Sequence, residues 1–316
     1  MIDLPPAERE VLVKLGIMLP VSGPHASPAN ITVMAQAAER LGYDSLWTYE
    51  RLLRPMAPLW PGPDGTLQRA PEIYHTTYEP LQTLSHVAAL TSRITLGTSI
   101  ISALLHTPVV LARRLATLDQ FSGGRVIAGF GQGSIPQEFA TANVPWKRRG
   151  AGLDDMVAAV RAVWGPDPVE YDGRFYSIEA SEINPKPVRG TIPIVIGAFT
   201  DAGIDRAARI ADGITPVASS LDAVTAQAAR FRQGAERLDR DPTVLTVTAQ
   251  SNNPMTARPA SGDRPFLGGA PKQIADDIEK LQGRGIEAVS FAFPSAEEVG
   301  VQIEMLDELR TLVPTH

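Results

Sequence analysis

Cysteine is absent from this chain. Its absence removes disulfides, thiolate metal centres and cysteine nucleophiles together, and it fits a reducing compartment. Histidine is scarce: the five present show no metal-ligand spacing such as HExxH, which disfavours a metal-dependent hydrolase. Basic residues are not in excess. Lys and Arg number 29 against 35 Asp and Glu, with the signs interspersed, so no face for nucleic acid is offered. No apolar run approaches the roughly 20 residues a membrane helix needs. The start of the chain, MIDLPPAEREVLVKLGIMLP, sets prolines and charges before its first apolar run, the reverse of a secretory signal. The expectation is a cytoplasmic protein that has neither a membrane nor a nucleic acid as partner.

Apolar residues make up 44% of the 316, enough for a large core. Short apolar runs alternate with helical patterns along the chain. KLGIML (14–19), DSLWTY (44–49), RITLGTSII (93–101), RVIAGF (125–130), IPIVIG (192–197), GITPV (213–217), TVLTVTAQ (243–250) and AVSFAF (288–293) read as strands. Helical patterns follow them at 30–41, 80–92, 108–122, 150–164, 201–211, 221–238, 271–282 and 296–312. Asn30 is the expected N-cap of the first helix and Gly42 its stop. Asp172-Gly173 lies between two apolar-aromatic arms and predicts a hairpin with a two-residue turn.

Strands that are continuously apolar, each followed by a helix, predict a parallel sheet covered on its outer face. Eight such units in a chain of this length favour a closed (β/α)8 TIM barrel over an open doubly wound sheet. No break in composition marks a second domain. The reading is one domain over 1–316, with a core of about 14–312 and insertions of about 50–77 and 253–270. Both insertions follow strands, at the end where barrels build their sites.

Two glycine clusters sit at strand ends. Gly131 and Gly133 follow the fourth strand, and Gly197 ends the fifth. A glycine there lets a backbone approach a ligand, or lets the chain turn with positive φ. Thr200 or Asp201 begins the next helix, whose free amides suit an anionic group, and Asp201 is favoured as its N-cap.

AERLGYDSLW (38–47), TSRITLGTSI (91–100), PVVLARRLATLDQFSGGRVIAGFGQG (108–133), RRGAGLDDMVAAVRAVW (148–164), YDGRFYSI (171–178), PKPVRGTIPIVIGAF (185–199) and ADGITP (211–216) together resemble the luciferase-like flavin and deazaflavin oxidoreductases. The resemblance covers about residues 14–300. It implies a barrel that holds a flavin-type ring in its mouth against a non-prolyl cis peptide, here Ser99–Ile100. It implies that Gly131, Gln132, Gly133 and Ser134 line the cofactor tail, with Gly197, Ala198, Phe199 and Thr200 opposite. On that reading the glycines make room for the cofactor.

Family members of this kind use coenzyme F420, a hydride carrier, or take reduced FMN from a partner reductase and activate oxygen. The expectation here is F420, with FMN as the alternative. A flavin or F420 reductase would act as supplier, and a homodimer is implied. F420-dependent members often end strand two with Ser-Asp-His; this chain has Tyr49, Glu50 and Arg51. Glu50 can still accept a hydrogen bond from the cofactor. Arg51 cannot act as a base, but it can hold a carboxylate, an enolate or a phosphate. Ser134 stands where the sugar-phosphate dehydrogenase branch has Glu, which argues against a sugar phosphate. Glu50, Arg51 and His106 are the expected catalytic residues. His25 and His75 are weaker choices in strand-end loops, and Trp47 is expected to pack the barrel. Without the usual histidine, a flavin-binding protein without turnover stands as the third reading.

Overall fold

The computed structural model describes residues 12–58, 60–61, 66–292 and 297–313. Eight parallel strands close into a barrel: Lys14–Met18, Ser45–Thr48, Thr95–Thr98, Val126–Gly131, Ile194–Ile196, Gly213–Ile214, Thr246–Ser251 and Ala288–Phe291. The first strand pairs with the second and the eighth, and the fourth with the fifth, so no edge is left. The helices outside are α1 (Pro28–Arg40), α2 (Pro80–Leu90), α3 (Pro108–Ser122), α4 (Pro136–Thr141), α5 (Ala151–Trp164), α6 (Asp201–Ile210), α7 (Leu221–Glu236), α8 (Pro271–Glu279) and α9 (Val299–Leu312). No described helix is long and apolar enough to cross a membrane.

The main core lies between strands and helices, where the continuously apolar strands meet the inner stripe of each helix. A smaller cluster of Met18, Trp47 and Val195 fills the barrel below its mouth. Trp47 packs there as expected. Its ring leaves no room for a side chain at Gly97, and its Nε1 donates to Ser45 Oγ at 2.8 Å.

Local signals were not all where expected. Ser27, not Asn30, caps α1: its Oγ accepts from the Asn30 amide at 3.1 Å, with Pro28 opening the helix. Thr200, not Asp201, caps α6, its Oγ1 accepting from the Gly203 amide. Asp201 instead lies 3.2 Å from Arg230. The hairpin at 169–181 forms, but Asp172 pairs with Ser177, so its loop has four residues. Asp155 on α5 sets that loop by accepting from the amides of Arg174, Phe175 and Tyr176. The 50–77 connection has some order of its own, a short hairpin (Trp60–Pro61 with Leu67–Gln68) and a turn of 3-10 helix at Glu72–Tyr74.

The closed, N-terminal end of the barrel is stitched by carboxylates. Amides at strand starts donate to acidic side chains: Leu15 to Asp44 at 2.8 Å, Ile194 to Asp212 at 2.8 Å, and Val247 to Glu287 at 2.7 Å. Glu39 accepts from the amides of Ser92, Arg93 and Ile94 just before the third strand. Burial alone would raise the Glu39 carboxyl, but those amides outweigh it and bring its pKa down to about 2.

Candidate functional site

The opposite, C-terminal end opens into a cavity of ≈ 1450 Å³. Its floor begins where the third strand ends. The Ser99–Ile100 peptide is cis. The Ser99 amide donates to Thr48 O at 2.7 Å, and Ser99 Oγ donates to Gln250 Oε1 at 2.7 Å. Gln250 Nε2 in turn donates to Asn252 Oδ1, so strands three and seven are linked across the mouth.

The Ile100 side chain lies between the two glycine clusters. A Cβ at Gly131 would collide with Ile100 Cδ1, and one at Gly197 would stand 3.0 Å from Ile100 Cγ2. Gly133 has φ +75°, and a Cβ there would come within 2.6 Å of Phe139. This corrects the sequence-based reason for these glycines. They make room for the protein's own Ile100 and Phe139, and the floor so formed then faces the cavity.

Gly131, Gln132, Gly133 and Ser134 line one bank of the cavity, and Gly197, Ala198, Phe199 and Thr200 line the adjoining one. Ala198 is buried, whereas Phe199 is exposed. Gly203, in the first turn of α6, also lines the cavity, so the positive end of that helix lies at the mouth. Arg149 adds a cation here, stacked 3.4 Å above the Trp146 ring. These polar groups flank an apolar floor of Ile100, Met18 and Ala292.

The other side of the mouth is built by the end of strand two. The Glu50 amide donates to Ile100 O at 3.1 Å. Glu50 Oε2 accepts from the Ser102 amide at 2.9 Å, and Oε1 lies 2.8 Å from His106 Nε2. His106 does not itself line the cavity; it stands behind Glu50, 56 positions away in sequence. The ion pair one might draw between Glu50 and its neighbour Arg51 does not form: the Arg51 guanidinium lies 4.7 Å above the Tyr74 ring. Tyr74 also meets Tyr49 edge to face at 6.2 Å. Tyr49 hydrogen-bonds Ser22, and burial pushes its hydroxyl pKa up.

The second half of the 50–77 segment walls this side. Arg54 ties it together, donating to Ala70 O at 2.9 Å and pairing with Glu72 at 2.6 Å. The Gly23 amide donates to Ile73 O, holding the segment to the loop after strand one. His25 and His75 both line the cavity. His25 Nδ1 is 3.8 Å from Glu298.

Sequence reasoning missed α4 and its Glu138. Glu138 is 1% exposed; its Oε1 accepts from the Leu52 amide at 2.9 Å, and its Oε2 has no hydrogen-bond partner among the described residues. Burial pushes the Glu138 carboxyl pKa up, and the nearby Arg51 charge opposes that. Pro136 at the start of α4 was the available signal, but a six-residue helix has no period to read.

The profile of the luciferase-like monooxygenases matches residues 13–260, a span holding almost every residue just described. The chain belongs to this family. An uncharacterized protein of Mycobacterium tuberculosis is 32% identical over 278 residues, covering 85% of this chain and 97% of the other. An F420-dependent glucose-6-phosphate dehydrogenase of Amycolatopsis mediterranei is 29% identical over 190 residues, 59% of this chain and 52% of that one. Among solved structures, a monooxygenase from Streptomyces bottropensis superposes with a TM-score of 0.75 at 21% identity, covering 95% of this chain and 98% of that one. Such a likeness carries the barrel, which luciferase-like enzymes of either cofactor share.

Proposed function

We propose that this luciferase-like protein is an F420-dependent oxidoreductase, moving a hydride between the deazaflavin and a small organic substrate. The observation that carries the reading is the meeting of both glycine banks, the α6 N-terminus, Arg149 and Glu50 on one cavity of ≈ 1450 Å³. The residues fit such a group. Ile100, seated between Gly131 and Gly197, offers an apolar face to a planar ring. Ser134, Arg149 and the first turn of α6 offer donors to an anionic tail. The likeness to an F420-dependent dehydrogenase supports the choice of cofactor. With Ser134 in place of the Glu of the sugar-phosphate branch, a sugar phosphate is not the proposed substrate.

When bound, the deazaflavin supplies a two-electron hydride acceptor or donor. The protein supplies the rest. Glu50 is fixed at two oxygens, by the Ser102 amide and by His106, and it faces the cavity as an oriented carboxylate. A proton held between Glu50 Oε1 and His106 Nε2 can be given to or taken from the substrate at that carboxylate. Ile73 and Tyr74 wall the substrate side and limit water. The whole chain acts as one luciferase-like domain, with a separate reductase keeping the cofactor supplied.

The assay is anaerobic turnover of oxidised or reduced F420 against a panel of alcohols, imines and enones. Change in the deazaflavin absorbance with one class supports the proposal. Oxygen uptake with reduced FMN, and no F420 turnover, would replace it with an FMN monooxygenase. Tight F420 binding with no turnover of any class would leave a carrier protein.

A further inference from the structure

Most charged side chains on the cavity wall have a partner. Glu50 is held by His106 and the Ser102 amide, and Glu72 by Arg54. Arg149 lies on Trp146 beside the α6 bank. Arg51, like Arg149, rests on an aromatic ring without a hydrogen bond or ion pair among the described residues, but it also carries a buried donor, its Nε. A guanidinium carries five donors in a rigid fork, and a buried donor left unpaired is costly. Yet the side chain is firmly oriented. Tyr74 lies under it, and its backbone sits between Glu50, tied to Ile100, and Leu52, tied to Glu138.

We propose that the substrate is a carboxylic acid with an apolar body, and that Arg51 receives its carboxylate. This rests on the reading of the mouth as the active site. A planar carboxylate matches the guanidinium fork with two parallel hydrogen bonds. The surrounding charge favours a monoanion. Glu50 lines the same wall and the buried Glu138 lies close to Arg51, so a phosphate dianion meets more repulsion than a carboxylate does. The rest of this side is apolar or aromatic: Tyr49, Pro71, Ile73 and Tyr74 line it. Arg51 follows strand two and lies near Glu138 of α4, the helix that follows the 131–134 bank. The acid function would anchor the substrate on the strand-two side of the cavity.

Calorimetric titration of phenylacetate, its neutral isostere phenylacetamide and inorganic phosphate into the F420-loaded protein tests this. Phenylacetate should bind at least about tenfold more tightly than either of the others. Arg51→Met should abolish that preference while changing F420 affinity less than about twofold, and Arg51→Lys should keep part of it. Thermal unfolding checks that each variant is folded, and Arg51→Lys serves if Arg51→Met is not. Equal affinity for acid and amide overturns the proposal, as does tighter phosphate binding or a preference that survives Arg51→Met. Loss of F420 binding in the folded Arg51→Met protein also overturns it, assigning Arg51 to the cofactor. The same titrations on cofactor-free protein separate the two ideas. If F420 does not bind but the Arg51-dependent preference remains, the cofactor reading falls and the acid site stands.

Discussion

The two ends of this barrel treat charge in opposite ways. At the closed end, Glu39, Asp44, Asp212 and Glu287 each accept from backbone amides at the starts of strands. At the mouth, Arg51 has no hydrogen-bond partner among the described residues, and the first turn of α6 lines the cavity. One end uses its polar groups to hold strands in register. On the proposed reading, the other keeps them for a ligand. The difference teaches which residues belong to stability and which to binding, and it matches the general division of labour in such barrels.

Three substitutions test that division, from the largest expected effect to the smallest. Ser134→Trp fills the exposed bank beside Gly133. It should weaken F420 binding by about 100-fold, roughly 2.7 kcal/mol, with the urea midpoint unchanged. A loss of stability without a loss of affinity would erase the contrast. Gly131→Ala should do both kinds of damage, because the floor belongs to both regions. The new Cβ displaces Ile100, at a cost of about 2 kcal/mol in denaturant unfolding. Adding Ile100→Ala should recover part of that cost, and strict additivity of the pair would mean the two residues do not collide. Glu39→Ala should cost about 1–2 kcal/mol, at the low end for charged hydrogen bonds because solvent reaches this side chain, and should leave F420 affinity intact. Its pKa of about 2 lies below the unfolded carboxyl's ordinary value, so its contribution is complete at neutral pH. That contribution fades as pH falls toward 2, and unfolding curves of variant and wild type should converge there.

The barrel was legible because parallel strands leave a plain signal, eight continuous apolar runs each followed by a helix. The site was legible in part. Every residue expected to line the cofactor does line the cavity, and Glu50 and Arg51 stand there with them. What sequence could not give was the reason for each glycine. Ile100 is 31 positions from Gly131, and only the fold brings them together. The link between Glu50 and His106 has the same origin, and it sets His106 behind the cavity wall. The closed-end carboxylates were invisible because an acidic residue before a strand, or at the end of a helix as Glu39 is, looks like any solvated charge. The Ser27 cap, by contrast, was present in the sequence: a serine directly before Pro28 is a helix-start signal.

The most direct measurement is a fluorescence titration of the purified, cofactor-free protein with F420 and, separately, with FMN. The account predicts micromolar or tighter binding of F420, at least about tenfold tighter than FMN. Preference for FMN, or binding of neither, would contradict it.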